Sequence, residues 1–241
     1  YLAAERIWTE LQRSLAERDP SAFVTSLRDC GALRCLLPEL DALFGVPQVP
    51  EYHPEIDTGL HTLMALDQAC LLSESTEVRY AVLLHDLGKG TTPREEWPRH
   101  IAHEHRGKRL VNQVSDRLKA SNAHRRLALK VCAYHTQCHR ALELRGATVL
   151  RLLTATDALR QPRVFEQFLL ACEADARGRT GLEDRPYPQA DYLRQALTTA
   201  RSVTSAPFLE QGLQGQALGD AMRAEQVKLL EAMRPGKGSE N

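Results

Sequence analysis

Apolar residues recur at helical spacing along almost all of this 241-residue chain, and alternation of β-branched residues is nowhere sustained. That pattern restricts the chain to an all-α fold. Helices are expected at roughly 3–17, 59–72, 76–88, 99–119, 123–137, 147–159, 162–176, 189–203 and 215–233. Asp19-Pro20 reads as an N-cap followed by proline at the first helical position, and Gly31 ends the helix so begun. Between Gly45 and Asp57, Pro47, Pro50 and Pro54 interrupt the periodicity. This break predicts a short N-terminal helical segment (1–45), a main domain with C-terminal helices (46–235) and a polar, disordered tail (236–241). Because the chain opens on Tyr1 and at once on an amphipathic pattern, it is expected to be a piece of something longer.

No apolar run reaches the length of about 18 residues that a membrane span needs, and no signal segment is present, so a soluble protein without a membrane partner is expected. Cys30, Cys35, Cys70, Cys132, Cys138 and Cys172 form no CxxC pair and read as buried, reduced thiols of a cytoplasmic protein. The formal net charge is zero but unevenly spread. From Arg99 to Arg151, 12 Lys and Arg face three Asp and Glu, a net of +9, whereas residues 1–98 carry eight against 16, a net of −8. A basic block in a neutral chain suits an anionic ligand such as RNA phosphate, or simply a set of solvated helix faces.

Histidines and carboxylates at apolar helical positions are costly unless a partner or a metal satisfies them. His61 lies on the inward face shared with Met64 and Ala65. The apolar run from Tyr80 to Leu84 ends abruptly in His85-Asp86, then Leu87-Gly88-Lys89-Gly90 stops the helix. Neighbouring helical positions diverge by about 100°, and a shared metal is one of the few reasons to pair them. Asp157, four after Leu153 and seven after Leu150, falls on the apolar stripe of its own helix. Two imidazoles and two carboxylates make a mixed nitrogen and oxygen set for a divalent ion, with room left for water and a phosphate oxygen. Lys89 stands next to these ligands, either to neutralise charge on a transferring phosphoryl group or as a solvated helix-end lysine.

The order His61, His85-Asp86, Asp157, in the context LLHDLGKG, resembles the H…HD…D pattern of the HD superfamily, whose members are mostly phosphohydrolases on an all-α scaffold. His103, before Gly107, and His135 match places where such proteins carry further histidines for a second metal or the substrate phosphate. His53, His100, His105, His124 and His139 carry no such signal.

The longer stretch LRDCGALRCLLPELDALFGVPQ, HPEIDTGLHTLMAL, LLHDLGKGTTP, WPRH, TATDALRQP and EADARGRTG resembles the C-terminal half of bacterial tRNA nucleotidyltransferases with an appended HD domain, the multifunctional CCA proteins. The resemblance implies 2′,3′-cyclic phosphodiesterase, 2′-nucleotidase and phosphatase activities on tRNA or RNA 3′ ends and 2′,3′-cyclic nucleotides. It implies Ni2+ or Mg2+, with Mn2+ or Co2+ as alternatives; separately, the helix in GLQGQALGDAMRAEQVKLL suits either a partner contact, as in a homodimer, or the commoner role of covering the core. The resemblance makes His61, His85, Asp86 and Asp157 the site, with His103 and His135 close by. His85, Asp86 and Lys89 become the catalytic candidates, and Arg106, Lys108, Arg109, Arg177 and Arg179 the substrate-binding ones. Two departures stand out. Thr136 follows His135 where relatives carry Asp, and the phosphate loop and DxD pair of a nucleotide-adding head are missing, so this chain alone is not expected to add nucleotides. The rival expectations are a small-molecule HD nucleotidase or dNTP phosphohydrolase, and an RNA-binding or dimerising appendage with a structural metal.

Overall fold

The computed structural model describes residues 3–236, so most of the expected tail lies outside the described residues. The chain is all-α; among the described residues only an isolated antiparallel bridge joins Pro47 to Asp57. It forms two compact units, residues 3–135 with 167–186, and 136–166 with 187–236.

The first unit contains α1 (Ala4–Ala16), α2 (Pro20–Asp29), the short α3 (Ala32–Leu36) and α4 (Pro38–Asp41), α5 (Thr58–Leu72), α6 (Thr76–Leu84) and α7 (His103–Leu118). α8 (Asn122–His139) runs out of it, and α10 (Pro162–Arg177) returns to it. Asp19 caps α2 by accepting from the Ala22 N–H at 3.1 Å, with Pro20 at the first helical position. From Tyr80 to Leu84 α6 is apolar on every side, and Tyr80, Ala81, Val82 and Leu83 are fully buried, which makes it the central helix against which α5 and α1 pack. The buried Arg79 donates to the carbonyls of Leu15 and Glu17 at the end of α1 and of Ser73 after α5. One guanidinium thus satisfies orphan carbonyls of two helix ends and ties both to α6.

The helix expected over 76–88 stops at Leu84, with His85 as its C-cap, and continues as a tight 3-10 turn, Leu87–Thr91. Close packing explains the change. A Cβ on Gly88 would stand 1.9 Å from the His103 carbonyl oxygen, so this glycine lets the start of α7 lie directly on the turn, and one on Gly107 would stand 2.6 Å from the Cys132 sulfur, so α7 also lies close against α8. α7 itself begins at His103, later than expected, because Ala102 adopts a left-handed conformation, φ 57°.

In the second unit α9 (Gly146–Ala155), α11 (Pro188–Ser202) and α13 (Gly215–Ala232) pack together, with α12 (Ala206–Glu210) against α13. Val149, Leu153, Phe165, Leu193, Ala196 and Leu230 form its core. Cys132, Cys138 and Cys172 are buried as expected, but Cys30 and Cys35 are exposed, and none of the six forms a disulfide. No described helix is long and apolar enough to cross a membrane.

Candidate metal centre

Four imidazoles converge inside the first unit, each turned the same way. His85 Nδ1 faces the Val82 carbonyl at 2.6 Å, His103 Nδ1 that of His100 at 2.9 Å, His135 Nδ1 that of Val131 at 3.0 Å, and His61 Nδ1 that of Gly178 at 2.9 Å. A carbonyl can only accept, so each Nδ1 carries the proton and each Nε2 presents its lone pair inward. This is the arrangement in which outer hydrogen bonds fix the tautomer of a metal-binding histidine.

The Nε2 atoms meet two carboxylates. His61 Nε2 lies 3.1 Å from Asp175 Oδ1, His85 Nε2 3.1 Å from Asp86 Oδ2 and 3.7 Å from Asp175 Oδ1. On the other side of Asp86, its Oδ1 lies 3.3 Å from His103 Nε2 and 3.6 Å from His135 Nε2. Ligand atoms bonded at ~2.1 Å and at right angles around an ion sit ~3 Å apart, close to these separations. The groups His61-His85-Asp86, His85-His135-Asp175 and Asp86-His103-His135 each keep their ligand atoms within 4.8 Å of one another. His85 Nε2 and both Asp86 oxygens are buried without a well-aligned hydrogen bond, and the Nε2 lone pairs of His103 and His135 face each other at 3.4 Å. Such an assembly calls for cations. The residues fit a divalent ion, and Asp86, with one oxygen toward each group, could hold two.

Electrostatics reinforces the point. Burial pushes the His85 imidazole down, but Asp86 and Asp175 outweigh it and lift it to about 9, so until a cation takes its place a proton sits on Nε2. Burial would raise the Asp86 carboxyl, yet His85, Lys89 and His103 hold it well below the usual carboxylate range. His135 is pushed well below the ordinary imidazole range by burial, so it is neutral and able to ligate.

The structure brings His61, His85, Asp86, His103 and His135 together but not Asp157. α9 ends at Ala155, and Asp157, at φ 60°, belongs to the second unit, where its carboxylate accepts from the Gln161 side chain and faces Arg160 at 3.8 Å. Its apparent place on the apolar stripe came from extending the helix past its end; there Asp serves a left-handed turn, for which its short polar side chain is suited. Asp175 occupies the ligand position instead. It was detectable: Phe168, Leu169 and Cys172 are buried on α10, and Asp175 continues that stripe at i+3 from Cys172 and i+7 from Phe168.

Two expected contacts with substrate are also corrected. Lys89 is buried, its ammonium 2.7 Å from Asp86 Oδ2 and 2.5 Å from Gln48 Oε1, so it is the counter-ion of a ligand rather than a solvated or substrate-facing group. The Arg106 guanidinium is spent on the carbonyls of Gly88 and Ile101 and the hydroxyls of Thr91 and Thr92, clamping the 3-10 turn onto α7. Lys108 and Arg109 are exposed on α7. Arg177 pairs with Glu173 at 2.7 Å. Arg179 stands nearest the centre, Nη2 3.8 Å from Asp175 Oδ1, and donates to the Tyr52 carbonyl.

The proline-broken stretch, expected to be a mere connection, forms one wall of the site. Besides Gln48, it supplies His53 and Glu55, which lie beside His61, and Pro47, whose carbonyl pairs with His100 Nε2 at 2.9 Å. His139, by contrast, pairs with the Tyr187 hydroxyl in the second unit.

A model of the HD domain matches residues 58–161, ending before Asp175, and one described as the probable RNA and SrmB-binding site of polymerase A matches residues 2–44. With the buried histidine and aspartate cluster, these matches define the chain as an HD-domain, metal-dependent phosphohydrolase. The multifunctional CCA proteins of Pseudomonas fluorescens strain Pf0-1, Teredinibacter turnerae and Hahella chejuensis are 55%, 54% and 52% identical to it over 99%, 96% and 99% of its length. The chain matches the C-terminal portion of these proteins and spans 57 to 58% of their length.

Proposed function

We propose that the centre hydrolyses phosphoesters at RNA and nucleotide ends, as a 2′,3′-cyclic phosphodiesterase, 2′-nucleotidase and phosphatase, within a larger tRNA CCA-adding and repair enzyme. The observation that carries this reading is the inward convergence of four Nε2 lone pairs on two buried carboxylates. The RNA-binding match beside it and the basic block support RNA as the substrate. His61, His85, Asp86 and Asp175 would hold one divalent ion, and Asp86, His103 and His135 a second. The imidazole donors favour Ni2+ or Co2+ over Mg2+, with Mn2+ between them.

When bound, a divalent ion supplies Lewis acidity to a phosphate oxygen and makes water a stronger acid. The chain's own groups do the rest. Asp86, ionised and with Oδ1 turned away from Lys89, orients the attacking water; Lys89 balances its charge and keeps it from swinging. Arg179 takes up phosphate charge as water adds to phosphorus. In a cyclic phosphate one ring P–O bond breaks, and the leaving ribose oxygen takes a proton, giving a monoester that the same centre can cleave.

The test begins with elemental analysis of protein purified without added metal, followed by hydrolysis of 2′,3′-cyclic AMP with Ni2+, Mn2+, Co2+ and Mg2+ in turn. Bound metal and metal-stimulated hydrolysis, both lost in a folded His85→Ala/Asp86→Ala variant, are expected. Activity intact in that variant sinks the reading. Mononucleotides cleaved faster than RNA 3′-phosphates, without salt dependence, would favour a small-molecule nucleotidase.

A further inference from the structure

Glu55 is a buried acid with an unusual setting. Its side chain is 3% exposed, and Oε1 lies 3.0 Å from His61 Nδ1 and 3.0 Å from His53 Nδ1. Its second oxygen faces the Thr180 N–H at 3.4 Å. Among the described residues its ion-pair partners are those two imidazoles, neither a permanent cation. Burying a carboxylate against neutral donors is costly, and the cost falls if one donor ring becomes strongly polarised. His61 becomes so when its Nε2 coordinates a cation.

The backbone holds Glu55 there rather than a chance rotamer. The Gln48 N–H donates to the Ile56 carbonyl at 2.7 Å, the Ile56 N–H to the His53 carbonyl at 2.9 Å, and Asp57 both caps α5 through the Leu60 N–H and accepts from the Gly45 N–H. Between them Ile56 sits at φ 62° with its side chain exposed. A β-branched residue in the left-handed region is a genuine outlier and strains the backbone. Exposure of the Ile56 side chain offsets none of that strain, but the turn it makes directs the preceding carboxylate inward.

His61 also differs from its fellow ligands. At His103 the nearest carboxylate to Nδ1, that of Glu104, stands 3.6 Å away, whereas at His61 the Gly178 carbonyl takes the Nδ1 hydrogen bond and the Glu55 carboxylate lies against the same nitrogen at 3.0 Å. The carbonyl of Gly178 also rules out a separate ion between His53, Glu55 and His61, because it keeps Nδ1 protonated.

We propose that Glu55 is a positioning residue of the metal centre, its charge holding the His61 ring and strengthening Nε2 as a donor to the ion. The proposal rests on His61 being a metal ligand. A carboxylate–histidine–metal chain of this kind typically changes metal affinity by about 10–100-fold when its outer member is removed.

The test uses the whole 241-residue chain and Co2+ as the probe. Calorimetric titration and the visible spectrum are compared for wild type, Glu55→Gln, Glu55→Ala, His61→Ala and Asp175→Ala, with melting of each metal-free protein. Glu55→Gln keeps the shape and removes the charge. It is expected to weaken Co2+ binding about 10–100-fold, to shift the Co2+ bands, and to leave the metal-free melting temperature equal to or above that of wild type. A merely structural residue would lower that temperature. Wild-type affinity and spectrum in Glu55→Gln, with binding lost in His61→Ala, overturn the role of Glu55 alone. Undiminished binding in His61→Ala and Asp175→Ala overturns the ligand set and the proposal with it.

Discussion

Asp175 and Asp157 make opposite predictions. Asp175 shares its oxygen with the Nε2 atoms of His61 and His85, so Asp175→Ala is expected to reduce divalent-metal affinity by more than about 100-fold, exceeding the usual loss for an outer partner. Asp157→Ala, which touches only its own turn, should leave affinity within about twofold. Metal content after purification, checked by calorimetry, decides between them; equal losses would return Asp157 to the site. The pair also shows how far single residues were legible. His85 and Asp86 declared themselves because they break an apolar run at its end. The last carboxylate did not, because two aspartates continued apolar stripes, and only the true end of α9 separates them. Glu55 and Gln48 gave no periodic signal, since both act from irregular backbone through contacts with residues distant in sequence from Gln48 or fixed only by a turn.

Among the elements, α6 and its neighbours were the most legible, since a helix whose last five residues are all apolar has few places to go but the centre. The stretch from Gly45 to Asp57 was the least. Prolines announce the absence of a helix but say nothing about which side chains turn inward. The start of α8 supports a prediction about acid stability. His124 is buried with its ring 4.9 Å from Trp8 and 5.7 Å from Tyr80, and burial lowers its pKa below the ordinary 6.5. Below about pH 6.5 the unfolded chain takes up a proton that the folded chain refuses, so this contribution is complete above that pH and is lost as pH falls through the depressed value. Urea midpoints measured from pH 8 to 5 should therefore fall, and His124→Gln should flatten the decline. An identical slope in the variant would remove His124 as the cause.

For the molecule as a whole, the all-α fold followed from periodicity, whereas the discontinuous first unit did not, because nothing in a helical stripe says that residues 167–186 return to an earlier part of the chain. Metal should tie stability to that return. With an ion at a thousandfold its Kd, mass action adds about 4 kcal/mol to the folded state, which corresponds to roughly 8–16 °C in melting temperature for a chain of this size. Chelation should lower the Tm accordingly in differential scanning calorimetry, and re-addition of Mn2+ or Co2+ should restore it; no change would mean that these side chains hold no ion. The same geometry has a topological side. His85, His103 and His135 take their bearings from carbonyls three or four residues back, so each is aimed once its local backbone forms, whereas His61 and Asp175 meet across 114 residues of chain. In polymer terms the ion is a removable cross-link that closes a very long loop, and a cross-link of that span acts mainly on the unfolded chain, by denying it the entropy of separated ends.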